Sequence, residues 1–472
     1  MASKKNRTEI IKSLTATIGA DNVLSNEMSI APYIKELRKR FHSPALAIAV
    51  PQNIAQVQAL VKWANKNKIP LVPQGGNTGM VGGQVPKIGN EIIVSLEKIN
   101  QVRYVDAPAG YMCVEAGVIL GKAQQEANDA NLLFPLAIAP QDRAQIGGIL
   151  SSNAGGLQVL AYGYARQLCL GVEAVMADGS LYQGLNGLKK NNMGYDLGSL
   201  MVGAEGTLGI ITAATLKLFA KPEGFETTFI NLASPEAALE LYSMLVKRLG
   251  TSLTTFEIMP DFSMQIQLKH KMIDKNPAGA NSKWYILAQM SQLPGQNKNS
   301  LSQGLEVAKS QGIIENFTIA DDEKIRRKMW KMREQLSGAQ SKEGASIKHD
   351  VSVPVSKVPE LITRGCKKVK SIMPDIRPCP FGHLGDGNIH FNLSQPIGAN
   401  PKAYMNGAEA IHDAIYEIVL DLGGSISAEH GIGQLKTKLL KQHKDPVAYD
   451  LMKKIKHSLD PNNIMNPGKM FE

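Results

Sequence analysis

At Lys221-Pro222-Glu223-Gly224 the texture of this 472-residue chain changes, and the change limits what the chain can fold into. Upstream the pattern is mixed helix and strand with many glycines. Downstream, "ETTFINL" reads as a strand, and Ser234-Pro235 opens a helix as N-cap and first helical residue, running to Gly250. "SLTTFEIM" and "WYILAQM" are strands, "NSLSQGLEVAKSQG" is a helix and "IENFTIA" a strand. The order βαββαβ over 226–320 is the split βαβ arrangement, an antiparallel sheet with two helices on one face. Helix–strand segments to about 440 extend it. A chain of this length exceeds one ordinary core, so a domain boundary close to 222 is expected.

Upstream, a helix is expected near 8–18, with Thr8 as cap, Ile10, Ile11, Leu14 and Ile18 on one face and Gly19 as stop. A second helix, "NIAQVQALVKWANKNK", spaces Ile54, Val57, Leu60, Val61 and Ala64 helically. The strand "IPLVP" then runs into "PQGGNTGMVGG", with five glycines in eleven residues. Glycines let backbone N–H groups approach a diphosphate without obstruction. The loop has no P-loop lysine and is not a GxGxxG opening a helix, so neither nucleotide fingerprint applies. "IGGILSSNAGGLQVLAYG" and "GAEGTLGIIT" follow. One such loop is ordinarily a bend. Three within 140 residues favour contact with one large ligand, which spacing does not name.

Composition narrows the class. With 43% hydrophobic residues and no run of roughly 18 apolar residues, the chain is globular without a transmembrane segment. "MASKKNRTEI" lacks the apolar core of a signal peptide. Cys113, Cys169, Cys366 and Cys379 are scattered without a CxxC, which argues against an iron–sulfur cluster or structural zinc and fits reduced thiols in the cytosol. The net charge of +10 sits in short basic runs, "KELRKR" and "KIRRKMWKMR", with no nucleic-acid motif. No nucleic-acid partner is expected. Solvated helix surface explains the runs, and a small acidic substrate in a basic cleft also fits.

"GHLGDGNIHFN" places His383 and His390 around Gly382, Gly385 and Gly387. The glycines disfavour a helix, and Asp386-Gly387 reads as a turn. "NIHFNL" then alternates, with Asn388, His390 and Asn392 on one face and Ile389, Phe391 and Leu393 on the other. "SAEHG" adds Glu429 and His430. Two imidazoles and a carboxylate suit a catalytic zinc or manganese with open positions, although each histidine alone is more often structural. In "KMWKMREQLSGA" the stripe Met329, Trp330, Arg333, Leu336, Ser337 puts a cation on the apolar face. That guanidinium needs an anion: an internal carboxylate, or a substrate carboxylate gripped in bidentate fashion; a snorkelling side chain is the third reading. "SIKHDVSVP" reads as a strand with Ser346, Lys348, Asp350 and Ser352 on a polar face that would ordinarily meet solvent.

Taken together, "PLVPQGGNTGMVGG", "IGGILSSNAGG", "VMADGS", "KKNNMGYDL" and "GAEGTLGIITAATLKL" resemble the FAD-binding domain of the vanillyl-alcohol-oxidase/p-cresol-methylhydroxylase (PCMH/VAO) type. "GHLGDGNIHFN", "SAEHGIGQLK" and "DPNNIMNPGK" resemble the C-terminal half of its D-2-hydroxyacid dehydrogenase branch. The resemblance covers nearly the whole chain. It implies an α+β fold: a two-subdomain FAD-binding domain (1–221), a cap domain with a large antiparallel sheet carrying substrate and metal sites (222–455), and a tail (456–472) returning to the FAD domain.

The resemblance also implies site residues. Pro73, Gly75, Gly76, Asn77, Thr78 and Gly79 would wrap the FAD diphosphate. Pro135, Leu136, Gly147, Gly148, Ser152, Asn153, Gly155, Gly156 and Tyr162 would line the rest of the cofactor, with Glu205, Gly209 and Ile211 at the adenosine side and Asn466 at the flavin. The first loop has no histidine, so the FAD is expected to be non-covalent. His383, His390 and Glu429 would hold a divalent metal, zinc or alternatively manganese. Arg333, Ser337, Lys348, Asn392 and His430 would bind substrate, with Ser337 where a threonine is expected. A metal on the substrate hydroxyl favours the alkoxide. His430 would take the proton as general base, and the C2 hydride would pass to flavin N5.

The implied activity is oxidation of a D-2-hydroxyacid, D-2-hydroxyglutarate first, with D-lactate or glycolate oxidation as the alternative. A non-catalytic flavin- or metal-binding subunit is the reading from another class. The implied partners are a small 2-hydroxyacid and an electron acceptor, either an electron-transfer flavoprotein or a quinone. The expected location is cytoplasmic, with peripheral attachment to the inner membrane and a homodimer left open.

Overall fold

The computed structural model describes residues 7–36, 38–279 and 282–472. The first six residues of "MASKKNRTEI" and position 37 in "KELRKR" lie outside the described residues. Among them, no helix is long and apolar enough to cross a membrane, and the four cysteines are unbridged.

The chain divides into two compact units. The first comprises the chain up to Gly156, Gly163–Lys221 and Glu429–Glu472; the second comprises Leu157–Tyr162 and Pro222–Ala428.

In the first unit, β1 (Val23–Leu24), β2 (Ala47–Ala49), β3 (Leu71–Gln74) and β4 (Ile92–Ser95) form a sheet in the order β1-β2-β4-β3. β2 and β3 run parallel to β4. Helices Arg7–Ile18 and Ile54–Asn67 lay Leu14, Ile18, Val57, Leu60 and Val61 into its core. Thr8 lies inside the first helix and is not its cap. In the second helix the Asn53 side chain accepts the Gln56 N–H as a true N-cap. A second, antiparallel sheet joins β5 (Val102–Asp106), β6 (Tyr111–Glu115), β8 (Cys169–Met176), β9 (Leu181–Gln183) and β10 (Gly209–Lys217) in the order β5-β6-β10-β8-β9. β7 (Leu132–Leu133) and β11 (Phe219–Ala220) pair separately.

The C-terminal boundary differs from the expected 455. The second unit ends at Ala428, and everything from Glu429 onward belongs to the first. Backbone bonding explains this. Leu71 N–H donates to Ile464 O at 2.8 Å and Asn466 N–H to Leu71 O at 2.8 Å, so the tail adds to the edge at β3. Ile464 and Met465 are core residues there. The Gln434 side chain donates to the carbonyls of Gly82 and Val85.

The second unit is built on one large sheet of β12 (Gly224–Leu232), β13 (Leu253–Pro260), β14 (Trp284–Gln292), β15 (Asn316–Ile319), β16 (Ser346–Ile347), β17 (Val351–Ser352), β18 (Arg377–His383) and β19 (Asn388–Ser394). The order is β15-β12-β14-β13-β18-β19-β16, with β17 also pairing β19. The first four strands have the antiparallel arrangement read from the sequence. Helix Pro235–Leu249 is capped as expected, the Ser234 hydroxyl accepting the Ala237 N–H. Helix Asp261–Lys269 lies between β13 and β14, in a segment whose weak apolar pattern gives no helix signal in the sequence. The strand expected over 346–352 is broken. β16 and β17 keep one register on β19, Ile347 opposite Leu393 and Val351 opposite Ile389. Between them the Phe391 carbonyl is bonded by the His349 ring Nδ1 at 2.8 Å.

Candidate active site

The β18–β19 hairpin sets the site in the second unit. Its turn, Leu384–Asp386, closes at Gly387 with φ +83°. A Cβ at Gly387 would lie 2.0 Å from the Val353 carbonyl oxygen, so only glycine fits. Register pairs His383 with Asn388, Phe381 with His390 and Cys379 with Asn392. Directly opposite residues share a sheet face. Both histidines therefore stand on one face, their ring centroids 5.5 Å apart. Ile389, Phe391 and Leu393 are fully buried on the other.

β13 brings a residue that sequence reasoning missed. Glu257 pairs in register with His383 and so projects to the same face. It is 0% exposed, and its two carboxylate oxygens serve two partners. Oε1 meets His383 Nδ1, and Oε2 accepts from Arg333 Nε at 2.5 Å. Burial pushes this carboxyl up, but the charges of Arg333 and His383, with their hydrogen bonds, outweigh it and hold the pKa at about 2. A lone charged residue inside the apolar strand "TTFEIM" is the signal that could have found it.

Arg333 is buried on helix Glu323–Glu334, as its stripe position required. Its anion in the structure is Glu257, the internal ion pair. The guanidinium also stacks 4.8 Å from the Phe381 ring centroid. Its terminal nitrogens hydrogen-bond to no other described residue. Ser337 is exposed on the short helix Leu336–Ser341, and Lys348 is half-buried between β16 and β17. Asn392 is buried, its Nδ2 donating to Gln340 Oε1 at 2.8 Å. Asp350, expected to meet solvent, is buried instead, 4.0 Å from His390 Nδ1 and accepting from Asn388 Nδ2. Burial pushes Asp386 up to about 6 against the pull of His383.

In the first unit the glycine loops converge. A Cβ on Gly75 would lie 3.4 Å from Gly148, and one on Gly76 would lie 1.9 Å from the Arg143 carbonyl oxygen. Gly156 is equally tight against the Ala137 carbonyl at 2.2 Å, and Gly147 lies against Ala116. Pro135 and Leu136 are buried; Pro73, Thr78 and Ser152 are half-buried and Gly79 exposed. Asn77 and Asn153 adopt positive φ, with Asn77 Nδ2 donating to Lys35 O and Asn153 Oδ1 accepting from Arg166 N–H. Gly209 and Ile211 lie within β10, and Gly209 is packed against Met201 and Val175. Tyr162 belongs to the 157–162 segment of the second unit.

Glu205 has backbone partners that its sequence position did not announce. Its carboxylate, placed at the adenosine side by resemblance, accepts the N–H groups of Ile432 and Gly433 at 2.7 Å each. It ties down the "SAEHGIG" segment, in which Glu429 and His430 are half-buried. A Cβ on Gly431 would lie 2.6 Å from Glu205 Oε1, so this glycine permits the contact.

Asn466 Nδ2 donates to Gly83 O and Glu205 O, and its buried Oδ1 has no hydrogen-bond partner among the described residues. A buried acceptor left unmade is costly. An N–H of a large planar ligand would satisfy it, and the flavin ring offers one. The tight glycine loops and this orphan acceptor fit FAD. The donor set of His383 and His390 fits a divalent cation.

Comparison with known proteins decides the family. Residues 221–470 match the C-terminal domain of FAD-linked oxidases, and residues 45–184 match an FAD-binding domain. The chain belongs to the FAD-linked oxidase family. It is an FAD-dependent oxidoreductase. Among its relatives, D-2-hydroxyglutarate dehydrogenase of Stutzerimonas stutzeri is 32% identical over 98% of both chains. The mitochondrial enzyme of that name from Rattus norvegicus is 33% identical over 89% of this chain and 77% of its own. Among solved structures, p-cresol methylhydroxylase superposes with a TM-score of 0.75 at 17% identity, covering 100% of this chain and 98% of its own. 4-Ethylphenol oxidase from Gulosibacter chungangensis gives 0.74 at 18% identity, covering 99% and 98%. The PCMH/VAO-type α+β fold is thereby established.

Proposed function

We propose that this FAD-linked oxidase converts a D-2-hydroxyacid to its 2-oxoacid, with D-2-hydroxyglutarate as the preferred substrate. One observation carries the reading: His383, His390 and the Arg333 guanidinium, whose terminal nitrogens bond no other described residue, gather at a single sheet face in the second unit. The activity named for the relatives supports it.

His383, His390 and Glu429 would hold a zinc ion, or manganese in its place, which would supply a Lewis acid for the substrate hydroxyl; the glycine loops and Asn466 would hold non-covalent FAD, which would supply the hydride acceptor. Arg333 offers its terminal N–H pair to a substrate carboxylate, a geometry suited to two parallel hydrogen bonds. Lys348 contributes a second positive charge, and Asn392 and Ser337 contribute polar contacts. Two cations beside the metal suit a dicarboxylate better than lactate. His430 removes the hydroxyl proton, since an imidazole titrates near neutral pH.

The test is anaerobic reduction of the purified holoenzyme by a panel of D- and L-2-hydroxyacids. D-2-hydroxyglutarate should bleach the yellow colour fastest, and EDTA treatment or His383→Ala should abolish bleaching. Faster bleaching by D-lactate would reverse the substrate order. Unchanged bleaching after EDTA would remove the metal, and persistent colour with every acid would leave only a binding role.

A further inference from the structure

The carboxylate of Glu257 lies outside the proposed ligand and substrate sets, yet it is the most enclosed charge at the site. It reaches both groups at once. One oxygen takes Arg333 Nε, the other takes His383 Nδ1, and the side chain is 0% exposed. The contact with His383 is built into the sheet, because the two residues are register partners on neighbouring strands.

The geometry points to Glu257 as a positioning residue that fixes the tautomer and ring plane of His383, so that Nε2 carries the lone pair offered to a cation. The inference rests on the metal role proposed above and deepens it. A neutral imidazole that donates its Nδ1 hydrogen to a carboxylate has its lone pair on Nε2. Carboxylates that hold a metal-ligating imidazole in this way commonly tune metal affinity. The second oxygen adds a link. Arg333 is held by the same carboxylate that orients His383, so the proposed carboxylate grip and cation ligand share one anchor. Arg333 also compensates the buried negative charge, which lets Glu257 stay ionised beside His383. His390 has a looser counterpart in Asp350, 4.0 Å away and beyond hydrogen-bond length.

The experiment uses full-length, FAD-loaded protein and zinc itself as the titrant. Zinc affinity is measured by competition with a chromophoric chelator in wild type, Glu257→Gln and the double variant Glu257→Gln/Arg333→Met. The histidine tautomers are read by nitrogen NMR on ¹⁵N-histidine-labelled protein, with His383→Gln giving the assignment. Glu257→Gln should weaken zinc binding about 10- to 100-fold and shift His383 away from the Nδ1–H form. The double variant removes the unpaired guanidinium and should stay weak. Recovery of affinity in the double variant would mean the loss came from stranding Arg333, and would overturn the inference. So would an unchanged His383 tautomer and affinity in Glu257→Gln. Failure of the parent reading looks different: wild type binds no stoichiometric zinc, while the Nδ1–H tautomer of His383 and its loss in Glu257→Gln still report on Glu257.

Discussion

Arg333 illustrates how far one residue can be read. Its place on an apolar stripe required a buried anion, and the sequence left an internal carboxylate and a substrate carboxylate both open. The structure supplies the internal one, Glu257, and leaves the terminal guanidinium nitrogens for a second. A lysine at this position would keep one positive charge but not the planar fork. Arg333→Lys should therefore fold, with its ammonium paired to Glu257, and should bind the substrate carboxylate poorly. Steady-state kinetics should give a KM raised about tenfold or more, corresponding to about 1.4 kcal/mol or more of lost binding, with a smaller change in kcat. An unaltered KM would show that Arg333 serves Glu257 alone. Arg333→Ala is the less informative change, because stranding a buried carboxylate costs about 3–5 kcal/mol.

At the scale of elements, strands and helices were legible where periodicity and caps agreed, and illegible where a side chain replaced the backbone. The four strands β12–β15 and their capped helix obeyed alternation and the Ser234-Pro235 signal. "SIKHDVSVP" did not, because His349 takes the ladder carbonyl of Phe391 and splits the strand. Glu343 exposes another interaction that the sequence could not announce. It accepts from Lys269 and His270 at the end of helix Asp261–Lys269 and from Arg377 at the start of β18. Burial pushes this carboxyl up, but hydrogen bonds from Lys269, Arg377 and His270 outweigh it and hold the pKa at about 2. A carboxyl depressed on folding contributes stability that is complete above its unfolded value, about 4.3. That contribution is lost as pH falls toward the folded value. Wild-type thermal stability should thus decline between about pH 4.5 and pH 2, and Glu343→Gln should flatten that decline while costing about 1–3 kcal/mol near neutrality. Parallel acid limbs for the two proteins would remove Glu343 from the account.

Across the whole molecule, the sequence located the glycine loops and the hairpin histidines but misplaced the point where the chain returns to its first unit. Helical spacing near 437–455 resembles that of any surface helix, so nothing local marked the switch at Glu429. The tail is decided by distant partners: Leu71 brackets Ile464 and Asn466 through two backbone hydrogen bonds, and Asp460 accepts the N–H groups of Ile464 and Met465. Ile464 and Met465 are at most 1% exposed in the first unit's core. Large-to-small changes at such positions cost about 2–5 kcal/mol each, a large share of the roughly 5–15 kcal/mol that holds a domain. Removing residues 460–472 should therefore abolish the yellow colour and open the first unit to protease. The second unit has a separate core around Phe229, Tyr285, Met329 and Phe381, so limited proteolysis should leave a resistant fragment spanning about 222–428. Digestion that proceeds evenly along both units would mean that the second depends on the first for its stability. A yellow, protease-resistant truncated protein would show that the tail's buried contacts are dispensable. In a chain whose cofactor loops lie near one end and whose Asn466 lies near the other, the last thirteen residues are expected to act as part of the flavin site itself.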